Sequence, residues 1–304
     1  MTVEGGEANP CWPADKAAII PLPRGASATA AVGGAADRAR LPLTVTVSSS
    51  AAQEIKSPAW ARYYARRGTA FARRVAPRIR ALYEATYGAS ADRSLLDVCC
   101  GQGTLAEHFL AHGYRVTGID LSGPMLALAR QNLQGYLEQG QARLIQADVA
   151  AFSVDGQFGL ATSTFDSLNM LQSSDALASC FAGVKRALPA AGMFVFDLMT
   201  RRGFWQDYNG VFVADTEAEL YVLKSVYDGA DKAASRMTGF IRDGERWERF
   251  DEFRTPTYFP APAVVTALHD AGWPATWLAD IDDLGSAVTD PEQLDRIFFV
   301  ATSS

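Results

Sequence analysis

The chain has 304 residues, 48% of them hydrophobic, and a formal net charge of −6. That length accommodates one sizeable core plus an insertion. The acidic balance disfavours a general nucleic-acid binder, and no apolar run approaches the ~20 residues that a membrane helix needs. Cys11, Cys99, Cys100 and Cys180 show no metal-ligand spacing, so no metal site is expected. Buried thiols fit a reducing compartment, and a cytoplasmic location is the simplest expectation.

Residues 1–50 are rich in Ala, Gly, Pro and Ser with little periodicity, and are expected to form a disordered tail. A continuous apolar stretch of secretory type is missing from it. Glu4, Glu7, Asp15 and Asp37 weigh against an organellar leader, since such leaders are poor in acids. Ser57-Pro58 opens a helical region carrying Trp60, Tyr63 and Tyr64, with proline suited to a first helical turn. A second helix is expected over Ala70 to Tyr87, bent near Pro77. Arg62, Arg66, Arg67, Arg73, Arg74, Arg78 and Arg80 make this region basic, as either a solvated face or an anion-binding surface.

The most informative stretch is Leu95 to Asp120, LLDVCCGQGTLAEHFLAHGYRVTGID. Leu95, Leu96 and Val98 read as a buried parallel strand. Gly101-Gln-Gly103 forces a tight turn in which a ligand can approach backbone without meeting a Cβ. Leu105, Phe109 and Leu110 have helical spacing, His112-Gly113 ends the helix, and Arg115 to Ile119 forms the next strand with Asp120 at its carboxyl end. Ligands of open α/β sheets bind at the carboxyl ends of strands, where an acid accepts both hydroxyls of a ribose. Gly101, Gly103 and Ala106 also satisfy the looser dinucleotide pattern. Asp97, at the tip of the first strand, discriminates between the two: a carboxylate repels a pyrophosphate and attracts a ligand carrying an ammonium and a sulfonium.

These residues resemble the class I S-adenosylmethionine-dependent methyltransferases over roughly Trp60 to Thr302. LLDVCCGQG resembles the family's first motif, TGIDLSGPML the second and IQADVAAF the third. FGLATSTFDSLNML resembles the fourth-strand segment and ALPAAGMFVFDLMT the fifth. Leu160-Ala161 and Pro189-Ala-Ala-Gly192 depart from the usual forms of the last two. Within the family the resemblance is to bacterial small-molecule enzymes with a β-rich insertion. It implies an α/β fold: a Rossmann-like seven-stranded sheet with the last strand antiparallel, helices on both faces and an inserted antiparallel β lid. It implies S-adenosylmethionine as cofactor. Asp97, Gly101, Gly103, Asp120, Leu121, Met125, Asp148, Val149 and Phe165 would be the residues that hold it. Asp120 would take the ribose, Asp148 and the Val149 N–H the adenine, and Met125 would pack on the ring.

Strands are expected near 94–99, 115–119, 142–146, 158–164 and 192–197, with helices at 122–134 and 175–188. A helix at 261–271 and strands near 275–281 and 296–302 complete the core. Between them, Ala218 to Tyr227, Ala234 to Arg242 and Arg246 to Phe253 alternate as strands do, and Asp228-Gly229 and Asp243-Gly244 are hairpin signals. The organisation expected is a tail at 1–50, helices and a donor-binding core at 51–199, a lid facing the acceptor at 200–259, and the rest of the core at 260–304.

Methyl transfer needs positioning more than covalent help, so the acceptor side is harder to read. Asp166 fits either an acceptor-orienting base or a cap for the helix starting near Ser167, and Tyr64 is the other catalytic candidate. Tyr63, Asn169 and Trp205 are the candidate acceptor contacts. Phe204, Trp205, Tyr208, Trp247 and Phe253 give the lid either an aromatic wall or a small core of its own. The favoured reading is methyl transfer to N, O or C of a small molecule by a monomer or homodimer. An RNA or protein methyltransferase using the basic 62–80 region, and a non-catalytic adenosyl-binding protein, are the alternatives.

Overall fold

The computed structural model describes residues 18–20, 57–88, 91–188 and 191–303. The tail expected at 1–50 lies outside the described residues except for Ala18–Ile20, and Cys11 lies outside them too. In chain order the elements are β1 (Ala18–Ile20), α1 (Pro58–Tyr87), β2 (Ser94–Val98), α2 (Thr104–Ala111), β3 (Arg115–Asp120), α3 (Gly123–Asn132) and α4 (Gln134–Glu138). There follow β4 (Ala142–Gln146), β5 (Leu160–Ser163), α5 (Ser174–Ala187), β6 (Met193–Met199), α6 (Arg201–Asp207), β7 (Gly210–Asp215) and β8 (Glu219–Tyr227). The last are β9 (Ala233–Asp243), β10 (Arg246–Arg254), α7 (Ala261–Asp270), β11 (Ala275–Ala279) and β12 (Arg296–Thr302).

Seven strands form the core sheet in the order β11-β12-β6-β5-β2-β3-β4. β4, β3, β2, β5 and β6 run parallel, while β12 is antiparallel to both β6 and β11. Every residue of β2, β5 and β6 is buried, as expected of parallel strands covered on both faces. From β2 the chain runs outward to β3 and β4, then returns to β5 on β2's other side. That reversal opens a crevice at the carboxyl ends of β2 and β5, where such sheets take their ligands.

A second, antiparallel sheet has the order β1-β7-β8-β9-β10; β7 to β10 are inserted after β6, and β1 joins their edge from the N-terminal side of the chain. β8 and β9 alternate in burial, with Tyr221, Leu223, Met237 and Ile241 inward and Leu220 and Phe240 outward. Two elements in this region were not foreseen from the sequence, α6 and β7. Val211-Phe212-Val213 in β7 is a short run whose partner strands lie on either side of it in space.

The largest difference from the sequence expectation is α1. It is one helix of 30 residues, not two, and it runs through Gly68 and Pro77. Ser57 caps it by accepting the Trp60 N–H at 3.2 Å, and Pro58 occupies its first turn. Packing outweighs the local breakers: Phe71, Val75, Ile79 and Tyr83, spaced four apart, are all buried in the core beside α2. The other end of the same helix buries Ala59, Trp60 and Tyr63 against the lid, beside Tyr221, Met237 and Phe250. α1 therefore fastens the inserted sheet to the core.

Five of the seven arginines on α1 are engaged by carboxylates. Arg67 meets Glu219 at 2.8 Å, Arg74 and Arg78 share Asp282, Arg80 meets Glu84 at 2.7 Å, and Arg62 pairs with Glu248. Among the described residues no helix is long and apolar enough to cross a membrane, and no cluster of metal-ligating side chains occurs.

Candidate functional site

The crevice begins at the glycine turn. Gly101 and Gly103 have φ of +56° and +82°, and a Cβ on Gly103 would come within 2.8 Å of Leu133 Cδ1. Only glycine takes this conformation at no steric cost. Gln102 ties the turn to the helix above it: its Nε2 donates to the Ala65 carbonyl at 2.7 Å and to Thr69 Oγ1 at 2.6 Å.

Three carboxylates stand at successive strand tips. Asp120, ending β3, accepts the Gly101 N–H on Oδ2 and the Ser122 N–H on Oδ1, each at 2.8 Å. Burial pushes its carboxyl upward against these bonds. Asp148, beyond β4, accepts the Ala150 N–H at 2.9 Å. Asp97, in β2, is only 2% exposed, and Thr162 Oγ1 donates to its Oδ1 at 2.8 Å while Oδ2 has no partner. Burial raises the Asp97 carboxyl to about 7; the Thr162 bond opposes that rise and the Asp120 charge adds to it.

Two contiguous cavities form the cleft above these groups. One is bordered by Asp120, Leu121, Met125, Asp148 and Val149, the other by Asp97, Gln102, Thr104 and Phe165; Gly101, Met125 and Tyr64 border both. Of the nine residues expected to hold the donor, only Gly103 does not border the cleft, and it shapes the turn instead. The sequence reading missed Cys99, Gln102, Ser167, Met170 and Arg254, which also line it.

A third cavity lies under the lid and meets the cleft at Tyr64, Phe165 and Arg254. Trp60, Tyr63 and Arg67 of α1, Asp166, Met199, Asp207 and Tyr208 of the core side, and Leu223, Met237 and Glu252 of the lid complete its wall, with Arg296. Arg254 stacks over the Tyr64 ring at 4.9 Å, and Tyr64 packs on Phe165 at 5.4 Å. Burial raises the Glu252 carboxyl against the pull of Arg254, and burial also holds the Tyr63 and Tyr208 phenols neutral.

Asp166, Tyr63 and Tyr64 thus border the third cavity, as does Tyr208. Asp166 makes no side-chain cap; its Oδ1 accepts from Arg296 Nη2 at 2.7 Å. Asn169 and Trp205 are placed elsewhere. The Asn169 amide is fully buried, donating to the Thr257 carbonyl at 2.8 Å and accepting the Met199 N–H at 3.0 Å, so it clasps the chain returning from the lid. Trp205 is 52% exposed and lies edge-on to Tyr227. The lid aromatics divide: Phe204 is buried among Tyr208, Tyr227 and Tyr258, whereas Trp247 is exposed.

Residues 95–192 match the family model described as a methyltransferase domain. The chain carries a methyltransferase domain of the S-adenosylmethionine-dependent kind. The Bacillus subtilis protein YqeM is 29% identical to it, over 69% of this chain and 84% of its own length. The dTDP-3-amino-3,4,6-trideoxy-α-D-glucopyranose N,N-dimethyltransferase of Streptomyces venezuelae is 26% identical, over 61% of this chain and 73% of its own. In fold it is similar to an S-adenosylmethionine-dependent methyltransferase from Clostridium acetobutylicum, with TM-score 0.65, 23% identity and coverage of 76% and 91% of the two chains. A sugar N-methyltransferase from Streptoalloteichus gives TM-score 0.64 at 24% identity, covering 89% and 99%.

The cleft of this methyltransferase fits its donor chemically. Asp97 Oδ2, buried and without a partner, is complementary to an ammonium, and no phosphate would be tolerated beside it. When bound, S-adenosylmethionine supplies a methyl group on a positively charged sulfur. The chain supplies position: α1 over the glycine turn, acids at the strand tips, and Tyr64 and Phe165 where cleft and cavity meet.

Proposed function

We propose that this methyltransferase acts on an amine nitrogen of a small molecule seated in the cavity under the lid. One observation carries the reading. Three carboxylates, Asp166, Asp207 and Glu252, line the same cavity as Arg67, Arg254 and Arg296 and the rings of Trp60, Tyr64, Phe165 and Tyr208, and that cavity opens directly on the donor cleft. Arg254 and Arg296 already engage Tyr64, Phe165 and Asp166, so Glu252 and the Tyr208 ring are the groups that favour an ammonium. An amine must lose a proton to become methylated, and Glu252, whose carboxyl is raised by burial, is suited to take it. The Streptomyces venezuelae relative is named for N,N-dimethylation of an amino sugar nucleotide, which supports the same class of acceptor.

Oxygen is the second reading. A relative from Thiobacillus denitrificans, 31% identical over 51% of this chain, is named as an ubiquinone biosynthesis O-methyltransferase. The basic region of α1 gives little support to an RNA acceptor, because most of its arginines are already paired with carboxylates.

The test offers the protein S-adenosylmethionine with amino sugars and their nucleotides, simple amines and catechols, and reads methylated products by mass. Methylated amines are the expected products. Turnover of catechols with all amines untouched would replace nitrogen by oxygen, and no binding of S-adenosylhomocysteine by calorimetry would remove the donor assignment itself.

A further inference from the structure

Phe165 and Asp166 stand side by side in the left-handed region, at φ of +66° and +49°. Neither is glycine, so both positions cost free energy and persist only if their surroundings hold them. The restraint comes from Asp197, a fully buried residue of β6. Its Oδ1 accepts the Phe165 N–H at 2.7 Å and its Oδ2 the Asp166 N–H at 2.8 Å. A buried carboxylate needs a counter-charge, and Arg296, the first residue of β12, supplies it. One guanidinium nitrogen donates to Asp197 Oδ2 and the other to Asp166 Oδ1, at 2.7 Å for the second. The same guanidinium lies 4.9 Å from the Phe71 ring and 5.7 Å from the Phe165 ring. Phe165 is therefore fixed at its backbone by Asp197 and at its ring by Phe71, Tyr64 and Arg296.

Phe165 borders both the donor cleft and the acceptor cavity, and Asp166 the acceptor cavity, whereas Asp197 borders neither. We infer that Asp197, with Arg296 as its counter-charge, is a positioning residue for methyl transfer: it holds the Phe165–Asp166 turn in a conformation the two residues do not favour, and so sets the wall between donor and acceptor. The inference does not depend on whether the acceptor atom is nitrogen or oxygen.

Substituting Asp197→Asn keeps the shape but leaves one oxygen for two N–H donors. S-adenosylhomocysteine affinity, measured by calorimetry, should fall about tenfold because the Phe165 wall is released. The decisive readout is a rescue. Glycine adopts positive φ without strain, so D197N should cost less S-adenosylhomocysteine affinity in the D166G background than in the D166A background, each measured against its own parent with Asp197 intact. A purely structural buried carboxylate would give equal losses in the glycine and alanine backgrounds, and that result overturns the inference. So does an unchanged affinity in D197N. If D197N does not fold, Arg296→Lys retains the charge but loses the two-pronged contact. It should melt cooperatively and show the same smaller loss in the glycine than in the alanine background, and equal losses there would sink the inference. Absence of binding by the unsubstituted protein would instead be a failure of the donor assignment.

Discussion

Thr162 Oγ1 and Asp97 Oδ1 lie 2.8 Å apart, so the hydroxyl of one core strand satisfies half of the carboxylate of the next and leaves the other oxygen buried without a donor. An unmet acceptor in the interior is a cost to the free protein. For a cationic ligand in the cleft the same oxygen would be an attraction, so a destabilising feature of the empty fold would become a binding feature of the occupied one.

That trade has a pH signature. The Asp97 carboxyl is raised from its ordinary value of 3.8 to about 7 in the fold, so between those values the folded state holds a proton that the unfolded chain has released. Asp97 thus lowers stability progressively as pH rises from about 4 to about 7, by a total on the order of a few kcal/mol. Asp97→Asn should raise the melting temperature of the ligand-free protein at pH 8 and change it little at pH 4.5. Donor affinity runs the other way: calorimetry should find S-adenosylmethionine bound more tightly at pH 8 than at pH 6, with that dependence lost in the variant. Equal melting shifts at the two pH values would show that Asp97 does not titrate in this window.

Asp120 orders the crevice in two ways, by accepting the Gly101 and Ser122 N–H groups and by standing at the tip of β3. Asp120→Ala leaves both donors unmet and removes the carboxylate that a ribose would meet. S-adenosylhomocysteine affinity should weaken by at least about tenfold, near 1.4 kcal/mol. Unaltered affinity in a cooperatively melting variant takes Asp120 out of the site.

Neighbours in sequence separate core from surface in α6. Phe204 is fully buried, whereas Trp205 is more than half exposed. Denaturant titration should find Phe204→Ala destabilising by about 3–5 kcal/mol and Trp205→Ala by less than about 1 kcal/mol. Comparable losses would mean that Trp205 carries packing the fold assigns to Phe204.

The cleft at the strand tips was legible in the sequence because its signals are local. The strand Leu95–Val98, the Gly101–Gly103 turn and Asp120 lie within one short βαβ unit, and each residue's place beside the cleft follows from that unit. The cavity under the lid has no such unit. Trp60, Asp166, Tyr208, Glu252, Arg254 and Arg296 come from five distant stretches and meet only in the fold. Asp197 lies within the segment that resembles the fifth-strand motif, yet neither it nor Arg296 stands out there, because the turn they hold is defined by two φ angles that composition does not reveal. At α1, Gly68 and Pro77 are sound local breakers that a buried face outweighs.

Glu252 and Asp166 both border the cavity under the lid, and their surroundings differ. Asp166 gives one oxygen to Arg296 and is tied by it to the strained turn. Glu252 is raised by burial, which suits it to accept a proton at neutral pH. With an amine acceptor, Glu252→Gln should lower turnover by about 10²-fold or more and flatten the acid limb of the pH–rate profile. Asp166→Asn should lower turnover less and leave that limb in place, while raising KM through the loosened turn. The opposite ordering of the two variants would transfer proton removal to Asp166 and make Glu252 a wall of the cavity only.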